Sequence, residues 1–216
     1  MSEAQILKIV ASILALIVAV VGHEIMHGWV AYRYGDNTAK SMGRLSINPI
    51  RHIDPVGTIL VPGVLYATGA PFLFGWAKPV PIDMRTVIRN GGYGAAIAVS
   101  LAGITYNLIL AVLLATLLPL AYPPHSLVGA FVYLFLVQSV MLNVVLAVFN
   151  LWPIPPLDGS QALRYLAAKL NWRGFVEAYD KIYPYGMFIL FAILFTPIAD
   201  LFFRPVQWIL RLILPG

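Results

Sequence analysis

The sequence predicts an all-α polytopic membrane protein. It should have about four spanning helices, a re-entrant or short β element and an interfacial C-terminal helix. Three observations lead there. Of its 216 residues, 60% are hydrophobic and only 11% are charged, against about 25% charged in a soluble domain. Apolar runs of about 20 residues, enough to cross a bilayer, recur along the chain. The basic residues gather in the loops between those runs, where they act as topology signals. The whole of 1–216 therefore reads as one membrane-embedded domain. A net charge of +5 scattered through loops is no nucleic-acid footprint, and no nucleic-acid partner is expected. With no cysteine in the chain, any metal must be held by nitrogen and oxygen atoms.

The elements follow in order. Segment one covers about residues 6–34 and stops at Arg33, Tyr34, Gly35 and Asp36. It has neither a basic leader nor a small-residue cleavage site, so it is expected to be retained. Residues 37–55 are polar and basic, and Gly43 to Asn48 alternates like a short strand. Segment two, residues 56–76, is apolar but broken by Pro62, Gly63, Gly69, Pro71 and Gly75. Segments three and four cover about 92–120 and 127–152. Residues 158–181 are polar and helical, segment five covers about 185–203, and the tail 205–214 suits an interfacial helix.

Both loops flanking segment two are basic, with Lys40, Arg44 and Arg51 before it and Lys78, Arg85 and Arg89 after it. A re-entrant segment two keeps both loops in the cytoplasm, as the positive-inside rule requires. Its prolines and glycines agree, because irregular backbone at membrane depth is tolerated where it lines a protein cavity. The N-terminus is then outside. The end of segment one and residues 158–181 face the cytoplasm.

The chemistry starts at His23-Glu24-Ile25-Met26-His27, inside segment one. Residues i and i+4 share a helix face, so His23 and His27 can grip one ion, with Glu24 able to reach a water bound to it. Ionisable groups at membrane depth are functional by default. A catalytic zinc needs three protein ligands and one open position. The best third candidate is Asp158, in Asn150-Leu151-Trp152-Pro153-Ile154-Pro155-Pro156-Leu157-Asp158-Gly159, at the same membrane level as His27. Asp158 either turns inward as a ligand or caps the next helix, and spacing alone does not choose.

The paired motifs, H-E-x-x-H in a membrane helix and a distant N-x-x-P-x-P-x-L-D-G, resemble the site-2 protease family of intramembrane zinc metalloproteases. So do Leu45 to Pro49, His52 to Thr58 and Phe74 to Pro81, as in the compact branch without a PDZ or other soluble insert. The resemblance covers about residues 20–165. It implies one zinc per chain held by His23, His27 and Asp158, Glu24 as general base, and a transmembrane protein as substrate. One departure stands out: where the family carries Gly-Pro-x-x-Asn, this chain has Gly103-Ile104-Thr105-Tyr106-Asn107. Asn107 is then either a substrate contact or an interhelical hydrogen bond.

Asn150 is expected to hold the substrate carbonyl or its oxyanion, or else to finish its helix. His52 either supports the site from close by or is structural. The extended stretches 43–48 and 76–82 are candidate edges for holding an unwound substrate by β-addition, with the amides of Ala77, Val80 and Ile82 on offer. Rival readings are an inactive homologue that binds membrane proteins, which intact Glu24 disfavours, and a metal transporter. A transporter calls for ionisable groups along several spans, and segments three to five carry almost none. Compact size and a cytoplasm-facing site point to a prokaryotic inner membrane, with lipid as the surrounding partner. The chain carries no signal for an oligomeric state.

Overall fold

A computed structural model of the chain describes residues 2–69 and 75–214. Nine α-helices lie within the described residues: α1 Glu3–Arg33, α2 Thr38–Ser41, α3 Val61–Ala67, α4 Met84–Leu117, α5 Leu127–Asn150, α6 Asp158–Lys169, α7 Arg173–Ile182, α8 Gly186–Leu194 and α9 Ile198–Ile213. Three helical stretches are long and apolar enough to cross a membrane: Glu3–Arg33, Met84–Ala121 and Leu127–Asn150. A fourth span is reached if the bent pair Arg173–Leu194 and Ile198–Ile213 counts as one. The protein is thus all-α and polytopic.

α1, α4 and α5 pack against one another and form the centre. Lipid tails are as apolar as leucine, so burying large apolar side chains between membrane helices gains little, and close approach of small residues decides the packing. Ala11, Ala15 and Ala19 line the inner face of α1 at helical spacing and are fully buried. Ile6, Ile9, Val10, Ile13, Leu14, Leu16 and Val18 point outward. α4 answers with Ala95, Ala96, Ala102, Gly103, Ala111 and Ala115. At Gly22 the fit is so close that an added Cβ would sit 2.1 Å from the Tyr106 ring. Tyr106 OH crosses there and donates to Val18 O at 3.2 Å.

The ends of α1 and α4 are tied on one side. Asp36, just past α1, accepts the amide of Asp83, and Asp83 caps α4. α4 departs from helical geometry at Gly92 (φ 67°, ψ −169°). The apolar span proper therefore begins where segment three was expected to begin.

Two expectations, a strand at 43–48 and an unbroken segment five, are corrected. Residues 43–48 form no strand, and none occurs among the described residues; the alternating side chains there have no partner strand, and the chain turns instead. Segment two becomes a π-helical turn, Pro55–Leu60, followed by α3, too short to span. Its residues 70–74 lie outside the described residues. Segment five is not one straight helix. It breaks after Leu194, next to Thr196-Pro197, and the halves bend by 81°. The tail helix accordingly starts at Ile198, ahead of Pro205. Its Phe203, Val206, Ile209, Leu210 and Ile213 pack on Ala111, Val144 and Val148 of α4 and α5.

Residues 83–89 and residue 125 flank the apolar stretch Met84–Ala121, so a spanning α4 is expected to leave them on opposite sides of the membrane. In this cysteine-free chain, Arg85→Cys should react with membrane-impermeant reagents only from the cytoplasmic side, and His125→Cys only from outside. The reverse pattern would refute the re-entrant reading of segment two with the N-terminus outside, and labelling of both from one face would refute a spanning α4.

Candidate metal centre

His23 and His27 stand one turn apart on the inner face of α1, both buried. Asp158 arrives from the far end of α5. The chain leaves Asn150, folds through Trp152, Ile154 and Leu157, which bury against Leu190 of α8, and enters α6 at Asp158. Two glycines permit this fold. A Cβ at Gly159 would lie 2.2 Å from Leu151 O, and one at Gly186 would lie 2.3 Å from Pro155 O. Asp158 does not cap α6; Leu157 holds the cap position without a side-chain bond. The Asp158 carboxylate turns to the histidines instead.

Three atoms converge. His23 Nε2 lies 3.0 Å and His27 Nε2 3.2 Å from Asp158 Oδ2, and the two Nε2 atoms are 3.1 Å apart. Ligand bonds of about 2.0–2.1 Å in a tetrahedral set put ligand atoms roughly 3.3 Å apart, so this triangle has the size a zinc ion requires. The groups behind it supply the right chemistry. His27 Nδ1 is 2.7 Å from Val99 O, which only accepts, so the ring proton belongs on Nδ1. His23 Nδ1 is 2.6 Å from Asn107 Oδ1, again an acceptor. In the neutral rings both Nε2 atoms therefore face inward as lone pairs, toward a carboxylate oxygen that is buried without a hydrogen-bond donor. A proton can join one imidazole to Asp158 but leaves the other Nε2 facing the pair; a divalent cation serves all three. The residues fit zinc.

Gly103 on α4 guards this space. A Cβ there would sit 2.5 Å from His23 Nε2 and from His27 Nε2. The Asp158 side chain is 19% exposed against 9% for His23, which leaves the aspartate side open to water.

Glu24 lies next to His23, and its Oε2 accepts the amide of Val80 at 2.8 Å. That amide belongs to a segment, residues 75–82, pinned at every second residue. Trp76 N donates to Gly57 O at 3.1 Å and Lys78 N to His52 O at 2.9 Å. Thr58 Oγ1 and Arg44 Nη2 donate back to Trp76 O and Lys78 O.

Several expected roles change. The Val80 amide is not on offer to a substrate, because Glu24 takes it. Asn107 is fully buried and bonded to His23, Ala19 and Asn143, so it occupies an interhelical place rather than a substrate-facing one. Asn150 is half-buried, and its Nδ2 donates to Leu146 O at 2.9 Å, the bland helix-end geometry. His52 is buried away from the cluster, with Nε2 on Ser46 O at 2.8 Å, and it braces the loop that receives Lys78. Asn143, which completes the polar line behind His23, was not singled out from the sequence; its only signal was an amide inside an apolar span.

Gly103→Ala makes the geometry testable. The variant should fold, since alanine favours helices, yet lose most of its metal by elemental analysis, because the new methyl takes the space between the two Nε2 atoms. Full metal retention would show that the cluster is not the binding site.

Comparison with known proteins agrees with this geometry. The family model described as peptidase family M50 matches residues 121–194, which include Asn150 and Asp158. YwhC of Bacillus subtilis (strain 168), whose name places it provisionally among zinc metalloproteases, is 39% identical over 199 residues, covering 90% of this chain and 84% of that protein. Rip2 of Mycolicibacterium smegmatis, named in the same way, is 32% identical over 86% of this chain and 67% of its own length. The protein MJ0611 of Methanocaldococcus jannaschii, also so named, is 30% identical over 74% of this chain and 73% of its own. No solved structure matches the chain. With a relative of this identity covered over most of its length, the chain belongs to the membrane metalloproteases of peptidase family M50, the site-2 protease family.

Proposed function

We propose that this protein is an intramembrane zinc endopeptidase that cuts transmembrane segments of substrate proteins, with its active site toward the cytoplasm of a prokaryotic inner membrane. The observation that carries the reading is the convergence of His23 Nε2, His27 Nε2 and Asp158 Oδ2 within 3.0–3.2 Å, with Glu24 beside them. The bacterial and archaeal origin of the relatives and the basic loops support the location.

His23, His27 and Asp158 would hold one zinc, which when bound polarises the scissile carbonyl and lowers the pKa of water. Glu24 takes the proton of the attacking water and passes it to the leaving amine. The Val80 amide fixes where the Glu24 carboxylate stands while it does so. The substrate helix must unwind first, since its backbone bonds are satisfied in lipid. The less covered side of the site, beside Asp158, is where water and an unwound peptide enter. Asn150 is the candidate for holding the substrate carbonyl, and it takes that part only by turning its amide from Leu146 O.

Three experiments test this. Glu24→Gln should lower cleavage of a model transmembrane substrate by about 10²–10⁴-fold, the usual worth of general acid–base catalysis, while metal content stays native. Asp158→Ala should lose metal as fully as His27→Ala. Cleavage by Glu24→Gln at the native rate, or native metal in Asp158→Ala, would refute the assignments. Val80→Pro removes the amide that holds Glu24, so it should slow cleavage of a helical substrate and of a short extended peptide alike. A loss confined to the helical substrate would place Val80 in substrate unwinding instead.

A further inference from the structure

Behind His23 a line of buried amides crosses three helices. Asn107 on α4 and Asn143 on α5 are both fully buried. Asn143 Nδ2 donates to Ser139 O at 2.8 Å. Asn107 Nδ2 donates to Asn143 Oδ1 at 2.7 Å and, more loosely, to Ala19 O at 3.2 Å. Asn107 Oδ1 then meets His23 Nδ1 at 2.6 Å.

The direction of this line follows from which atoms can donate. A main-chain carbonyl only accepts, so Ser139 O takes the NH2 of Asn143 and turns Asn143 Oδ1 toward Asn107. That oxygen also only accepts, so Asn107 presents its NH2 to it and to Ala19 O. Asn107 Oδ1 is what remains for His23, and it requires the imidazole proton on Nδ1. The lone pair of His23 is thereby sent to Nε2, the atom that faces Asp158 and His27. If Asn107 turned over, its NH2 would call for a lone pair on Nδ1, and the His23 proton would point into the metal position.

We infer that Asn143 is a positioning residue for the metal centre: acting through Asn107, it fixes His23 in the tautomer whose Nε2 can bind a cation. The inference rests on the zinc reading above and adds a residue that touches neither metal nor substrate. Ala19 O alone holds Asn107 by a long bond from one N–H. The shorter bond to Asn143, itself anchored on Ser139, makes the orientation single.

The test is zinc affinity of the full chain in detergent, by competition with a chelator. It compares native protein, Asn143→Leu, Asn143→Asp, Asn107→Ala and the Asn107→Ala/Asn143→Leu double variant. Leucine shares asparagine's branched heavy-atom shape but cannot hold Asn107. Asn143→Leu should weaken zinc binding by about 10–100-fold, as loss of groups supporting metal-bound histidines does. Cobalt-loaded Asn143→Leu should also show visible absorption bands displaced from those of cobalt-loaded native protein. Asn143→Asp should stay close to native. A buried aspartic acid is neutral, and its O–H and C=O reproduce the donor and acceptor of the amide. The double variant should bind no more weakly than Asn107→Ala alone, since Asn143 acts only through Asn107.

Native affinity in Asn143→Leu, losses that multiply in the double variant, or equal failure of leucine and aspartate would each overturn the inference. If Asn143→Leu does not fold, Asn143→Ala takes its place with the same outcomes. Zinc bound by the native chain with unchanged variants defeats this inference alone; a native chain that binds no zinc defeats the zinc reading with it.

Discussion

Three acceptor atoms held 3.0–3.2 Å apart, with hydrogen bonds behind them that in the neutral rings turn both histidine lone pairs inward, are a costly thing to build in an apolar medium. An unpaired buried polar atom costs about 1–3 kcal/mol, and more if charged. Lone pairs facing one another add repulsion. The arrangement survives because other parts of the chain over-determine it. α4 supplies Val99 O to His27 and Asn107 to His23, the α5–α6 turn delivers Asp158, and Gly103 keeps the space between them clear. A bound cation would satisfy all three atoms at once.

The choice of small residues at the helix contacts serves the same end. In a soluble protein, large apolar side chains would fill the centre and set helix spacing. Between membrane helices that incentive is missing, so alanine and glycine bring α1, α4 and α5 close enough for short polar side chains to reach across. Asn107 can touch His23, Ala19 and Asn143 at once only because Ala19 and its neighbours are small. The precision of the site is therefore a property of the inward helix faces, and large outward residues such as Ile13 take no part in it.

Much of this was legible in the sequence, for identifiable reasons. α1, the apolar part of α4, and α5 read directly, because a bilayer demands about 20 apolar residues in a row. His23, Glu24, His27 and Asp158 stood out because ionisable groups there are rare. The break in segment five was less plain: Thr196-Pro197 is a known stop signal, but apolar composition on both sides masked it. The alternation of Gly43 to Asn48 misled, because periodicity gives a strand its faces and says nothing of a partner to pair with. Asn143 was visible as an amide in a span, yet its link to His23 depends on the depth and rotation of three helices, which no local pattern encodes.

Residues 75–82 show how one pattern can carry two constraints. Along an extended backbone, successive residues turn their N–H and C=O groups to opposite sides. Here Trp76, Lys78 and Val80 turn inward, to Gly57 O, His52 O and Glu24. Ala77, Pro79 and Pro81 fall on the other side, and two of those three have no N–H to leave unpaired. The Pro-x-Pro spacing thus keeps donors off the outward edge, where they would invite stray pairing, without depriving the inner edge of any. It also fixes register. A slip of one residue would set Pro79 or Pro81 against Glu24, and the carboxylate would lose its amide. Pro79 and Pro81 thus hold this part of the chain in step with the site.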